Sequence, residues 1–204
     1  MYGDKTYFSA GGGETTATTL YYWALAMITS PEAQRRAQDE LDSVVGRDRL
    51  PTFDDAPRLP YLCAMVREVL RWRPTLPLGV PHASIKDDWY EGMFIPKGTV
   101  CIANLWHCNH DRAVFGEDAD KFRPERHLNE KGELVPGPAE TNQAGNVTFG
   151  FGRRYCVGKD LANNSLFIDI SRMLWAANFE RVRDKDGKEV PLDLETLVDA
   201  GIIV

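Results

Sequence analysis

Apolar residues run almost without interruption from Leu20 to Ile28, closing a stretch of helix formers that begins near residue 8. Ser30-Pro31 stops it, so a first long helix is predicted over residues 8–29. Ser30 then reads as the N-cap of a second helix, with Pro31 in its first turn and Glu32 next, running to Val45 before Gly46. A loop rich in Pro and Asp follows from Arg47 to Pro60. Beyond it, Leu62, Met65, Val66, Val69 and Leu70 fall on one side of a third helix, Tyr61 to Trp72, closed by Arg73-Pro74. From Pro77 to Ala103 Pro, Gly and β-branched residues alternate, and Ile95-Pro96-Lys97-Gly98-Thr99 turns between short strands. Residues 116–148 carry no regular pattern and hold Pro124, Pro136, Gly137, Pro138 and Gly145. An irregular stretch of that length is either functional or wrapped on something large. A last helix from about Cys156 to Asn178 and a short strand-rich tail complete a mainly α chain with small β-sheets, an α+β class.

Composition narrows the function more than the fold. With 204 residues the chain is at most two domains and comfortably one, so a single unit over 1–204 is expected. Hydrophobic residues at 43% and charged residues at 26% mark a globular chain rather than a disordered one. The formal charge of −6 and a pI of about 5.3 repel polyphosphate, which argues against nucleic acid as a partner. Thr15 to Ser30, the longest uncharged helical stretch, is too short and too rich in Thr to cross a bilayer. Asp4 and Lys5 fall where a signal peptide needs apolar residues. Cys63, Cys101, Cys108 and Cys156 are widely spaced and form no zinc pattern, so a reducing, cytoplasmic setting is expected. His107 and His110 flank Cys108, where a helix or turn surface with a buried Cys is the preferred reading.

Three short stretches carry chemistry. In Phe149-Gly150-Phe151-Gly152-Arg153-Arg154-Tyr155-Cys156-Val157-Gly158, one Cys ends a glycine-rich loop directly before a helix. The helix N-terminus, Arg153 and Arg154, and freed backbone N–H groups all favour a thiolate there. Gly152 and Gly158 remove side chains that would keep a flat ligand off the backbone. A thiolate so presented suits either nucleophilic catalysis or axial ligation of a haem iron, and no histidine pattern supplies the base that the first would need. Glu68 and Arg71 stand three apart on one helix. Such pairs are common on solvated surfaces, but the apolar neighbours here suggest burial and a third partner, for which Arg126 is the candidate. Finally, Ala10-Gly11-Gly12-Gly13-Glu14-Thr15-Thr16 weakens the first helix by about 1 kcal/mol for each Gly. No Gly-Lys-Ser/Thr follows to make a phosphate loop. The better reading is a helix opened for a small molecule, with Glu14 and Thr15 as a proton relay and a hydrogen-bonding hydroxyl.

In this order the three motifs resemble the cytochrome P450 family of haem-thiolate monooxygenases. Gly12-Gly13-Glu14-Thr15 meets the family's Gly-x-Glu/Asp-Thr helix, and Glu68 with Arg71 its Glu-x-x-Arg motif. Pro124-Glu125-Arg126 meets its Pro-Glu-Arg motif, although His127 stands where Phe is commoner. Phe149, Gly152, Arg154, Cys156 and Gly158 match every position of its Phe-x-x-Gly-x-Arg-x-Cys-x-Gly loop. Leu78-Gly79-Val80-Pro81-His82 is most similar to fungal microsomal members of the kind used in secondary metabolism or xenobiotic oxidation. The resemblance implies haem b held by a Cys156 thiolate, with Arg154 and His82 on its propionates. It implies that Thr15 donates a hydrogen bond to dioxygen while Glu14 helps deliver protons. Glu68, Arg71 and Arg126 would form a buried structural ion triad.

The implied activity inserts one oxygen atom into a small apolar substrate, with electrons from a separate NADPH-dependent reductase. Arg153, Arg154 and Lys159 make the Cys face locally basic, which suits an acidic redox partner. The resemblance reaches only the carboxy-terminal half of such proteins, which are usually anchored to the endoplasmic reticulum. It therefore implies a partial fold, with the outward faces of the first and last long helices uncovered. A truncated or mis-started gene product is expected, and a non-catalytic haem-binding remnant or apo scaffold is the alternative to an enzyme.

Overall fold

The computed structural model describes residues 10–192. Its first element is a π turn, Ala10–Glu14, that opens into helix α1 (Thr15–Thr29). Three successive glycines have little preference for α geometry, so the wider turn is accessible there. The Thr15 hydroxyl bridges the two by donating to the Gly11 carbonyl at 2.7 Å. The predicted first helix is thus one α segment with a π entrance, and residues 8 and 9 lie outside the described part. Helix α2 (Pro31–Val44) starts as expected, but Ser30 does not cap it with its side chain. The Ser30 carbonyl instead accepts from the Ala33 and Gln34 amides at 3.0 and 3.3 Å. Pro31 has already removed one of the donors that a cap would satisfy.

Helix α3 (Pro60–Trp72) lies at the centre, packed by α1, α2 and the later helix α6 (Lys159–Ala176). Leu62, Met65 and Val69 of α3 meet Trp23 and Met27 of α1, Leu41 of α2, and Ile170 and Leu174 of α6, all wholly buried. Each such side chain contributes roughly 1.5–3 kcal/mol, which weak helix propensity cannot match. The Trp23 indole N–H donates to the Met65 sulfur at 3.2 Å, so its polar end is satisfied inside the core. On α6 the buried positions Leu166, Phe167, Ile170, Ser171 and Leu174 form one face. That helix begins at Lys159 and not at Cys156, because Cys156 and Val157 remain in the glycine loop and Gly158 takes the N-cap position.

The amino end of α3 is capped from another helix. Pro60 has no N–H, and the next two orphan donors, Tyr61 and Leu62, give hydrogen bonds of 2.9 and 3.0 Å to the two Glu40 carboxylate oxygens. Burial pushes the Glu40 carboxyl above its ordinary value, against the lowering effect of these two amides and of Arg36.

Between α3 and α6 the chain is mostly irregular. β1 (His82–Ala83) pairs antiparallel with β4 (Val100–Cys101), His82 opposite Cys101, and encloses the hairpin β2 (Asp88–Tyr90) with β3 (Met93–Ile95). Pro96 to Thr99 turns between β3 and β4, as the sequence predicts, with the Thr99 amide on the Pro96 carbonyl at 3.1 Å. Two short helices follow, α4 (Leu105–Asn109) and α5 (Arg112–Phe115). Cys108 is exposed on α4, contrary to the expected buried Cys, and its neighbour Asn109 is the buried residue. Residues 116–158 hold no α-helix, but short 3₁₀ turns, among them Pro124–His127 and Gly152–Arg154, and an isolated antiparallel bridge between Leu128 and Leu134.

Apolar exposure was expected on the outer faces of the first and last long helices. Tyr21 on α1 and Leu161 on α6 are exposed, but the larger patch is on the ribbons, at Ile85, Trp89, Tyr90, Met93 and Phe94. Two-stranded ribbons with no layer against them leave both faces open. Among the described residues no helix is long and apolar enough to cross a membrane.

Glu40→Ala is expected to lower the unfolding free energy by about 1–2 kcal/mol, since two helix-end donors lose a charged acceptor. Urea unfolding followed by circular dichroism checks it, and an unchanged midpoint would show that the cap contributes nothing.

Candidate functional site

A cavity of about 740 Å³ separates the start of α1 from the glycine loop. Gly11, Thr15, Thr16 and Thr19 form one wall, and Phe149, Gly150, Phe151, Arg153, Arg154 and Cys156 another. Leu70, Leu76 and Leu105 add apolar surface, and Val80, His82 and Ile102 bring in the β1 and β4 edge. Thr15, His82, Arg154 and Cys156, which are 141 positions apart at their extremes (156 − 15 = 141), therefore line one space.

The loop that carries Cys156 is held by its backbone. The Cys156 amide donates to the Phe149 carbonyl at 2.9 Å, closing the loop at its base. Tyr155 donates to Gly152 at 3.2 Å, and Gly150 to Val147 at 2.9 Å. Gly152 has φ +57, a conformation that side-chain-bearing residues rarely adopt. Gly158 has an ordinary φ of −86, and a Cβ there would come 3.8 Å from the Cys156 sulfur. Its smallness therefore concerns the space beside the thiol. Cys156 is exposed and unpaired, and among the described residues its sulfur has no hydrogen-bond partner. Arg153 and Arg154 are exposed beside it.

The opposite wall is fastened through hydroxyls. Thr19 lies 3.1 Å from the Thr75 hydroxyl and donates to the Thr15 carbonyl at 2.9 Å. Thr75 also reaches the Thr15 carbonyl, at 3.4 Å. These bonds tie α1 to the segment after α3 at the level of the cavity. Glu14 sits at the exposed end of the π turn, outside the lining of the cavity. Gly152 and Gly158 also lie outside that lining and shape the loop from behind.

Glu68, Arg71 and Arg126 are brought together behind this site, all nearly or wholly buried. Glu68 Oε1 accepts from Arg71 Nη2 at 2.8 Å, Arg126 Nε at 2.9 Å and the Arg123 amide at 2.8 Å. Its Oε2 accepts from Arg71 Nε at 2.9 Å, and His127 Nε2 lies 3.0 Å away. Burial alone would raise the Glu68 carboxyl, but hydrogen bonds from Arg71 and His127 and the two arginine charges hold it at about 2. Burial lowers His127 below its ordinary value despite Glu68, so its neutral ring donates through Nε2. His127 is thus a fourth member of the cluster.

Arg71 uses all five of its N–H groups. Besides Glu68, they reach the Asn109 and Ala119 carbonyls at 2.7 Å each and Lys121 at 3.0 Å. Asn109 carries the connection forward to the cavity. Its side-chain oxygen accepts from the Val147 amide at 2.9 Å, and its nitrogen donates to the Thr148 hydroxyl at 3.1 Å. Thr148 in turn donates to the Leu70 carbonyl at 2.6 Å. Phe149 follows directly, so the ion cluster fixes the root of the cysteine loop. Asn109, Thr75, Thr19 and His127 were not singled out for these roles by sequence reasoning. A hint existed only for His127, as the departure after Pro124-Glu125-Arg126.

Known proteins give first a class. The chain is 56% identical, over 95% of its length, to a cytochrome P450 monooxygenase of Armillaria gallica. It is 50% identical over 94% to a cytochrome P450 monooxygenase of Postia placenta, and 46% over 91% to one of Penicillium patulum. These relatives are fungal monooxygenases. The Cytochrome P450 family model matches residues 6–198, and the chain belongs to that family. Its fold is a partial P450 fold, since the chain spans 37%, 36% and 33% of the length of these three relatives.

Glu68→Gln should cost about 3–5 kcal/mol, because Arg71 and Arg126 lose a buried countercharge. With Glu68 intact, its lowered value contributes stability above about pH 4.5 that is lost as the pH falls towards about 2. Urea midpoints measured at pH 7 and at steps down to about pH 2 should fall through that window. A flat profile there would contradict the ionised, paired Glu68.

Proposed function

We propose that the cavity between α1 and the cysteine loop holds haem b, with the Cys156 thiolate on the iron. The observation that carries this is the Cys156 thiol, without a hydrogen-bond partner among the described residues, in a cavity of about 740 Å³ with apolar walls and cationic edges. Among the described residues no three His, Cys, Asp or Glu side chains come together to hold a metal ion. With no such cluster, Cys156 can bind a metal here only if the metal arrives with most of its donors, as in a porphyrin. Leu70, Leu76, Ile102 and Leu105 suit the faces of a flat apolar ring, and Arg154 and His82 suit its carboxylates. When bound, the haem supplies activation of dioxygen for insertion of one oxygen atom, and a thiolate donor favours O–O cleavage.

The residues of this chain perform the rest. The Cys156 sulfur has no hydrogen-bond partner among the described residues, and its loop is fixed at the base by Phe149. Thr15 presents a hydroxyl in the opposite wall and holds a proton for the oxygen that is reduced to water. Its present acceptor, the Gly11 carbonyl, lies in the π turn that ends at Glu14, the supplier of that proton from solvent. Leu70, Leu166 and their neighbours exclude water and favour a small apolar organic substrate. Glu68, Arg71 and Arg126 position the loop structurally. Arg153, Arg154 and Lys159 form a basic face for an NADPH-dependent reductase, since electrons must come from outside. The chain acts in this reading as one partial domain of a microsomal enzyme of secondary metabolism.

Haem binding without turnover is the second reading. It is favoured by Glu14, which sits at the exposed end of the π turn and outside the lining of the cavity. The experiment that tests both uses haem-reconstituted, reduced protein under carbon monoxide. A strongly red-shifted Soret band is expected, and Cys156→Ser should abolish the shift. An unaltered band in that variant would overturn the ligand assignment. A thiolate-type band without product formation when a P450 reductase and NADPH are added would select the second reading.

A further inference from the structure

A second cavity, of about 530 Å³, lies behind the cysteine loop, and Phe149 is the residue that lines both spaces. Its floor is apolar, made by Phe53, Val66, Leu134, Phe149 and Phe167. Its polar residues are unlike the surface of this acidic chain. Arg67 and Lys159 line it, with the carboxamides of Asn142, Gln143, Asn163 and Asn164, and no Asp or Glu does. In a chain with 30 acidic and 24 basic residues, that selection leaves a local positive charge with no carboxylate in the lining among the described residues.

The two cations also have unused capacity. Arg67 is half-buried and gives one hydrogen bond, from Nη1 to the Val135 carbonyl at 2.7 Å. Among the described residues no carboxylate pairs with it, although a guanidinium offers five donors. Burial lowers its pKa, a cost that a bound anion would remove. Lys159 sits over the Tyr155 ring at 5.2 Å, also without a carboxylate partner among the described residues. At the rim, Asn142 and Gln143 adopt φ of +51 and +61 in succession. Two adjacent residues of this kind are uncommon outside glycine, and such strain collects at ligand clamps.

We propose that this cavity binds a small amphiphilic carboxylate. Its aromatic or branched apolar body lies on the Phe149 and Phe167 floor, and its carboxylate takes the free donors of Arg67 with Lys159 nearby. The volume is that of a small-molecule site. The assignment does not rest on the haem reading. Such a ligand touches the residue whose carbonyl holds the Cys156 amide, so occupancy reaches the cysteine loop from behind without entering its cavity.

The test titrates 2-naphthoate, and 2-naphthamide as its uncharged match, into the full 204-residue chain. Side-chain amide resonances of Asn163 and Asn164 and the backbone amide of Phe149 report binding. Saturable binding of naphthoate is expected, at least about tenfold tighter than the amide, because a charge-assisted pair is lost with the latter. Arg67→Gln should weaken naphthoate about tenfold or more. Asn164→Asp, which places a like charge on an exposed rim position and leaves Val135 anchored, should weaken it severalfold. Equal affinity for the two probes, no saturation, or binding that neither variant weakens would overturn the proposal. So would resonance shifts caused only by an added acidic reductase, which would make the cavity part of a docking face.

Discussion

One carboxylate, Glu68, sets the terms for the part of the chain that has no regular structure. It is completely buried, yet it takes hydrogen bonds from two guanidinium groups, an imidazole and the Arg123 amide. A buried charge is tolerated only with such complete pairing, and the arginines that pair it carry further donors that also need acceptors. They find them in backbone carbonyls. Arg71 and Arg126 between them bond Asn109, Phe115, Asp118, Ala119 and Lys121. The last residues of α4 and α5, and the irregular segment that follows them, thus have carbonyls satisfied by side chains. This is the physical reason why an irregular stretch after residue 116 can pack tightly against α3.

The constraint passes from there to the candidate site. Asn109 faces Arg71 with its carbonyl and the start of the cysteine loop with its carboxamide. Removing charge from Glu68 therefore disturbs more than the local ion pair, because the position of Val147 and Thr148 depends on Asn109. The opposite wall is independent of this chain of bonds. α1 is anchored through Thr19 and Thr75, and through Trp23 on Met65 further along α3. Both walls are thus referred to α3, one through charge and the other through hydroxyl and apolar contacts, and the cavity is the gap they leave.

The four family motifs and the order of long helices were legible in the sequence because each depends on local pattern. Pro31, Pro60 and the glycines after residue 10 punctuate the chain where backbone chemistry requires it. What could not be read was set by partners distant in sequence. Glu40 caps a helix 20 residues on, and nothing near it marks that role. Ser30 has the residue type of a cap, yet its hydroxyl makes no capping bond. Asn109 is a buried carboxamide in a stretch that reads as surface, and Cys108 beside it is exposed because the short helix turns Leu105 and Asn109 inward. His127 departs from the commoner Phe, but only the position of Glu68 Oε2 shows that its ring nitrogen is used.

The cysteine loop shows how an exposed thiol can be kept available without losing order. A thiol that found a hydrogen-bond partner or a packed niche would be shielded from any ligand. Here the side chain stays exposed, and order comes from bonds that leave the sulfur out: Cys156 to Phe149, Tyr155 to Gly152 and Gly150 to Val147. Those bonds demand the positive φ of Gly150 and Gly152, so the glycines serve the shape of the loop at least as much as its openness. The free energy that holds an exposed thiol in place is supplied at its root, by Thr148 on Leu70 and by Asn109, both in the buried region behind it. Rigidity at the base and freedom at the sulfur are therefore one design, in which Phe149, at the junction, feels whatever occupies either side.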